Sequence, residues 1–351
     1  MGTRGGRDPN CSARLGDCRH RHARGASAPT VAGSTFHRES LVTTRALVVG
    51  AGGATGLAWS SATLAVLEAE SGWDPRDADV FVGTSQGSLL VALLASGIGT
   101  ADLTAWYRRE LPVTHPLRHK PDARQRNSGS RVPLPAAPGM AIRALLRPGR
   151  VATTTALSGL LPAGRSSLDT WVAPLTALWK PDEWVAHPAT WAVAVDYDSG
   201  ERVSFGAPGA PEAGIIDAVR ASSSVPGVCE PTRIGDRRYI DGGVHSSTSA
   251  DLVASLDVDE VIVLAPMAGE GGPSSPTAVP EFVMRKGMQR KLAAEVRVLR
   301  KAGKHARVLV PSPYDVAAMG GNSLDPKNRR AIFESTLKRG HDRIAATGGS
   351  K

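Results

Sequence analysis

Cysteine is scarce in these 351 residues, where Cys11, Cys18 and Cys229 are the only three. Three thiols make no disulfide framework, so a cystine-stapled secreted fold is excluded and a reducing compartment is expected. Aromatic residues are also few, at 5%, which leaves Ala, Val and Leu to build the core. No run of about 18 apolar residues occurs, so a membrane-spanning helix is excluded. Residues 1–40 carry Arg and His but no apolar stretch of signal-peptide length. The expectation is a cytoplasmic protein, either free in solution or peripheral at a membrane. Acids are outnumbered by bases and the net charge is +9. A basic surface favours anionic partners without choosing among nucleic acid, lipid headgroups and acidic substrates. Nothing in the chain has the pattern of a nucleic-acid module.

Glycine (38) and proline (25) are plentiful, and 41% of the residues are hydrophobic. That mixture fits a globular protein with many tight turns. Residues 1–40 hold almost no large apolar side chains and read as a disordered basic tail. Cys11, Cys18, His20 and His22 match no common zinc module. The folded part is read as 41–351. Arg45–Val49 and Ala78–Val82 are short apolar runs that predict buried strands, and each is followed by a helical pattern, over 57–70 and 86–96. On the first helix Ala62, Ala65, Val66 and Ala69 share one face. Strand, helix, strand, helix predicts a three-layer α/β fold with a mainly parallel central sheet and helices on both faces. Further strands are predicted at 191–195, 239–240, 261–264 and 307–310, and helices at 281–303 and 328–346. A Pro-, Arg- and Gly-rich variable segment near 112–170 reads as a cap.

Three blocks carry chemistry. Gly83-Thr84-Ser85-Gln86-Gly87 is a G-x-S-x-G pattern between a strand and a helix. Such a nucleophile elbow uses Gly83 and Gly87 to turn the chain sharply and stand the Ser85 hydroxyl at a helix N-terminus. Gly50-Ala51-Gly52-Gly53-Ala54-Thr55-Gly56 also lies between a strand and a helix. Its successive N–H groups suit an anion, either the oxyanion of acyl transfer or the pyrophosphate of a dinucleotide. For the second use, Glu68 and Glu70 stand downstream as candidate ribose ligands. The third block, Asp241-Gly242-Gly243, puts an acid between a short strand and two residues without side chains. Ala221–Gly227 nearby is a small-residue turn of the kind that lines a pocket.

In this order the three blocks resemble the patatin-like phospholipase family, and the stretch from Ile216 to Gly243 is similar to that family throughout. The resemblance covers roughly 45–265. It implies a serine acyl hydrolase of lipid esters, with Ser85 as nucleophile, Asp241 as base, Gly52, Gly53 and Ala54 as oxyanion-hole donors, and Gly242 and Gly243 as a supporting turn. It implies a Ser–Asp dyad without histidine, an acyl-enzyme intermediate, and neither metal nor cofactor. The family's loop usually reads G-G-G-x-[R/K]-G; Ala51 and Thr55 depart from it here.

Other readings are a Ser-His-Asp triad ending in His305 or His341, a lipid-binding protein that has lost activity, and a short-chain dehydrogenase. The last needs Lys four residues after a catalytic Tyr, and none of the four tyrosines has one. Residues 281–304 carry eight bases against Glu281 and Glu295, with Met284, Met288, Leu292 and Val296 every four residues. Such a helix suits a core with a solvated basic face, or peripheral contact with an anionic membrane. Trp171, Trp179, Trp184 and Trp191 suit core packing or an interfacial patch. The oligomeric state is not legible.

Overall fold

The apolar runs pair into one eight-stranded sheet, and the helical stretches between them cover its two faces. The computed structural model describes residues 43–120, 135–140, 142, 153–269 and 279–348. The tail reading, with Cys11, Cys18, His20 and His22, lies outside these residues, as does much of the segment near 112–170. The strands are β1 (Arg45–Val49), β2 (Val80–Thr84), β3 (Thr190–Asp196), β4 (Arg202–Phe205), β5 (Thr232–Ile234), β6 (Arg237–Asp241), β7 (Glu260–Leu264) and β8 (His305–Leu309). The helices used below are α1 (Gly53–Ser71), α2 (Gln86–Ala95), α3 (Thr100–Arg108), α4 (Thr153–Ser158), α5 (Asp169–Thr176), α6 (Ile215–Ser222), α7 (Val279–Lys301), α8 (Pro313–Met319) and α9 (Arg329–Gly348).

The sheet order is β5-β6-β3-β2-β1-β7-β8, with β4 also paired to β3. Strands β8, β7, β1, β2 and β3 run parallel, whereas β4, β5 and β6 join antiparallel. Alternation along each strand sorts side chains to two faces. Leu47, Val49, Phe81, Ile262 and Leu264 face a core that includes Leu57 and Leu64 of α1 and Leu90 and Leu93 of α2. Ala46, Val48, Val82, Val261 and Val263 face Leu292, Val296 and Leu299 of α7. The three-layer arrangement expected from the sequence is what forms.

Several boundaries differ from the sequence reading. Helix α1 begins at Gly53 rather than residue 57, so the glycine-rich block is itself the first helical turn. Apolar periodicity starts only at Leu57 and misses the turn Gly53–Gly56, which has no large apolar side chain. Strand β2 runs two residues further, to Thr84, because Gly83 pairs with Val49 and Thr84 with Val193. On α1, Ala62 and Val66 are buried, but Ala65 is half-buried and Ala69 exposed. Strand β4 and helices α3, α5, α6 and α8 are absent from the sequence reading; they are four to nine residues long, although α6 buries Ile215, Ile216 and Val219. Helix α7 packs through Leu292, Val296 and Leu299, while Met284 is exposed, so its sheet-facing stripe is core. The tryptophans also pack inward: Trp191 is buried, and the indole N–H groups of Trp171 and Trp179 donate to Ser223 and Ser96. No helix of the described residues is long and apolar enough to cross a membrane.

If α7 is a core layer, truncating its most enclosed side chain must destabilise the whole fold. Leu299→Ala is expected to lower the unfolding free energy by about 2–5 kcal/mol in urea titrations, whereas truncating exposed Met284 to Ala should leave it nearly unchanged.

Candidate active site

The geometry of the site follows from the two edges of β3. Strand β4 pairs with residues 192–195 of β3 along one edge. The other edge is shared: β2 pairs with it as far as Thr84↔Val193, and β6 takes over at Asp241↔Ala194. Strands β2 and β6 therefore meet end to end, and Ser85 and Asp241 leave the sheet at the same point. Gly242 makes the junction possible, since a Cβ there would lie 2.4 Å from the Val193 carbonyl oxygen.

Ser85 joins β2 to α2 with φ 57° and ψ −122°, a left-handed conformation that a residue with a side chain adopts only under constraint. The constraint is close backbone packing. A Cβ on Gly87 would sit 1.9 Å from the Val49 carbonyl oxygen, so α2 rests directly on the end of β1. A Cβ on Gly83 would collide with Ser88 and Gly87. The elbow is then tied by hydrogen bonds. Ser85 N–H donates to the Ser222 hydroxyl at 2.9 Å, which donates to the Val193 carbonyl at 2.6 Å. The Ser88 hydroxyl donates to the Ser85 carbonyl at 2.6 Å.

Ser85 and Asp241 are 6% and 5% exposed. The Ser85 hydroxyl stands close enough to the Asp241 carboxyl to favour its ionised form, and Gly243 N–H donates to Asp241 Oδ1 at 2.7 Å. Asp241 N–H is held by the Ser224 carbonyl. Burial pushes the Asp241 carboxyl up to about 6, and the Ser85 hydroxyl and Gly243 N–H pull against that rise.

The glycine-rich block lies beside this pair. Gln86, next to Ser85, donates from Nε2 to the Gly50 carbonyl at 2.6 Å. Ala51 N–H donates to the Ser247 carbonyl and Thr55 N–H to the Ser323 carbonyl. Between those anchors the N–H groups of Gly52, Gly53 and Ala54 meet no carbonyl acceptor among the described residues. These are the unsatisfied donors that open a helix. Gly53 has φ 58°, and a Cβ on it would lie 2.5 Å from the Ser323 oxygen. The departure at Thr55 thus coincides with a different anchor, the backbone of Ser323. Ala51 places its methyl group against the bare side of Gly243.

A cavity of about 690 Å³ is lined by Ser85, Gly53 and Ala54, with Leu57, Leu89, Trp106, Trp171 and Pro174 among its apolar walls. Gly52 is not among the lining residues. The Ser-Ser-Ser turn does more than line a pocket: Ser222 holds the elbow, Ser223 holds Trp171, and Ser224 holds Asp241. Glu295 went unread in the sequence. It is buried, raised in pKa by that burial, and accepts from Ser246, Thr248 at 2.5 Å and Ala250 N–H at 3.0 Å. It thereby fixes the loop whose Ser247 carbonyl anchors Ala51. The available signal was a lone acid amid the bases of 285–301.

The structure separates the other sequence candidates from this site. His305 opens β8 in register with Glu260 and Arg45. That is the opposite end of the parallel strands, about 16 Å from the end where Ser85 sits. His341 lies in α9, its side chain outside the described residues. Glu68 and Glu70 lie in the last turns of α1, the nearer one roughly 22 Å along the helix from Gly53. His245, four residues past Asp241, is pushed down to about 4 by burial and by Arg202 and Lys291.

The sequence profile of the Patatin-like phospholipase family matches residues 47–254, more than half of the chain. The chain belongs to the patatin-like phospholipase family. The matched region spans β1 to the turn before β7, so it contains both the elbow and Asp241. A solved structure, VipD from Legionella pneumophila, is similar at 16% identity and a TM-score of 0.41, covering 87% of this chain and 66% of that one. No curated protein matches. Membership in the patatin-like family supports lipid acyl hydrolysis as the general function.

Two outcomes test this construction. Ser222→Ala leaves the buried Ser85 N–H and Val193 carbonyl without their bridge and is expected to cost about 1–3 kcal/mol of stability. The second concerns pH. In the unfolded chain Asp241 ionises near 3.8, in the native state near 6. Between those values the native state holds a proton the unfolded state has lost, so stability falls as pH rises through that window, by roughly 3 kcal/mol in all. Asp241→Asn should therefore be more stable than wild type above about pH 6, with the gap closing below pH 4, as read by urea unfolding at each pH.

Proposed function

We propose that the protein hydrolyses carboxylic esters of lipids through a Ser85–Asp241 dyad and an acyl-enzyme intermediate. The observation that carries this reading is the meeting of Ser85 and a buried carboxylate, Asp241, at one point of the β3 edge, beside helix-opening N–H groups that lack carbonyl acceptors among the described residues. Asp241 takes the Ser85 proton as Oγ attacks the ester carbonyl. The N–H groups of Gly52, Gly53 and Ala54 stabilise the oxyanion of the tetrahedral intermediate. Collapse breaks the ester bond, and the leaving alcohol takes the proton from Asp241. Water then attacks the acyl-enzyme, Asp241 accepts its proton, and collapse releases the carboxylic acid and restores the Ser85 hydroxyl. A base whose pKa lies near 6 is ionised at neutral pH yet basic enough to draw a proton from serine in the attack.

The competing reading, a lipid-binding protein without turnover, rested on Ala51 and Thr55. Backbone anchors to Ser247 and Ser323 hold the loop from both ends, which supports a working oxyanion hole in the absence of the basic residue. A triad reading is disfavoured by the position of His305.

The test pairs a fluorophosphonate probe with a short-chain p-nitrophenyl ester. Wild type should label and turn over; Ser85→Ala should abolish labelling, and Ser85→Ala and Asp241→Asn should each lower kcat/KM at least about a thousandfold. His305→Ala should match wild type, and loss of activity in it would revive the triad. The pH profile of kcat/KM should rise with the ionisation of Asp241, with a limb near 6. An inert, unlabelled wild type would favour the binding reading.

A further inference from the structure

The cavity at Ser85 has an uneven distribution of charge. Arg109, Lys327, Arg329 and Arg330 line it, and no Asp or Glu does among the described residues. These four are exposed, whereas Leu57 and Leu89 are buried, so the cations stand at the mouth and the apolar residues form the floor. The mouth is drawn from two separate parts of the chain, the end of α3 and the start of α9, brought together by packing of both helices on α1.

The cations are held toward the cavity by features that do not neutralise them. Arg109 caps α3 in the left-handed region, φ 66° and ψ 31°, where glycine is the usual occupant. Arg329 lies over the Trp106 ring at 5.5 Å, and Trp106 itself lines the cavity. Two acids close by are engaged elsewhere: Glu334 takes a two-pronged bond from Arg108, and Asp325 accepts the Lys327 backbone N–H. Among the described residues no ion pair involves Arg109, Lys327 or Arg329, while Arg330 shares Glu334 with Arg108 through its charge. Four cations facing fewer acids repel one another, and the repulsion is relieved when an anion enters.

We propose that this cationic mouth selects acyl esters whose headgroup carries net negative charge, the headgroup lying among Arg109, Lys327, Arg329 and Arg330 while the acyl chain follows the apolar floor to Ser85. The proposal rests on the hydrolase reading for its chemistry, but the selection itself is a binding property and is separable from turnover. A guanidinium cluster pairs with phosphodiester or carboxylate oxygens through charge-assisted hydrogen bonds.

The experiment uses the full chain carrying Ser85→Ala, titrated calorimetrically with dihexanoylphosphatidylglycerol and dihexanoylphosphatidylcholine, both kept monomeric. The anionic lipid is expected to bind about tenfold more tightly. The advantage should shrink as salt is raised, a measurement that needs no change at the mouth. It should disappear in the Arg109→Gln/Lys327→Gln/Arg329→Gln/Arg330→Gln variant and persist when the three arginines become Lys. Equal affinities, or a preference that survives the four Gln substitutions, would overturn the proposal. A preference seen only on phosphatidylglycerol vesicles, and absent with monomers, would overturn it too, because the cations would then be reading a membrane surface. Fluorophosphonate labelling of the wild type separates the two claims. Anionic selectivity without labelling sinks the hydrolase reading and leaves the headgroup site standing, whereas labelling without selectivity does the reverse.

Discussion

Strand β3 offers one edge to two partners, and the site depends on how they divide it. Strand β2 uses the edge as far as Val193 and β6 uses it from Ala194. Because one partner runs parallel and the other antiparallel, both chains end at the boundary with their next residues turned out of the sheet. Backbone hydrogen bonding thus brings a serine and an aspartate together from opposite sides of 150-odd residues of chain. Side-chain chemistry then acts on an encounter that the sheet has already arranged. The glycines around it, at 83, 87 and 242, allow the backbones to approach more closely than any side chain would permit.

Holding the pair dry is costly, and under the proposed mechanism it is also what would make the pair reactive. A carboxylate almost without solvent is stabilised only by what is built around it, here the Ser85 hydroxyl and Gly243 N–H. The surrounding serines spend their hydrogen bonds on backbone rather than on the charge: Ser222 bridges two strands and Ser224 holds the Asp241 N–H. Glu295 repeats the device one layer away, a second buried carboxylate whose partners order the loop behind the oxyanion block. The support of the site is backbone-deep, an arrangement that under the proposed mechanism would supply electrostatic preorganisation.

Much of this was legible before any coordinates. The strands hold unbroken apolar runs at 46–49 and 261–264, and the elbow at Ser85 sits where its strand and helix demanded. Asp241 was less visible, because an acid before two glycines is an ordinary turn until a second motif gives it a purpose. What escaped was of two kinds. The first turn of α1 has no large apolar side chain, so periodicity could not see it. The roles of Ser222, Ser224, Glu295 and Ser323 are contacts between residues far apart in the chain, made through carbonyls and N–H groups that every residue possesses. A pattern of side chains cannot register them. The stripe read on α7 holds at Leu292, Val296 and Leu299, which pack in the core, and fails at exposed Met284.

The shared edge also sets the tolerance of the site to error. Side chains on a strand alternate faces, so a slip of one residue between β6 and β3 would carry Asp241 about 3.3 Å along the edge and turn its carboxylate to the other side of the sheet. No rotamer change could recover the contact with Ser85. The alignment of two reacting groups is therefore quantised: it is either in register or lost, with nothing between. Sequence change in β3 and β6 is free to alter packing but has no continuous path by which to retune the distance between serine and aspartate.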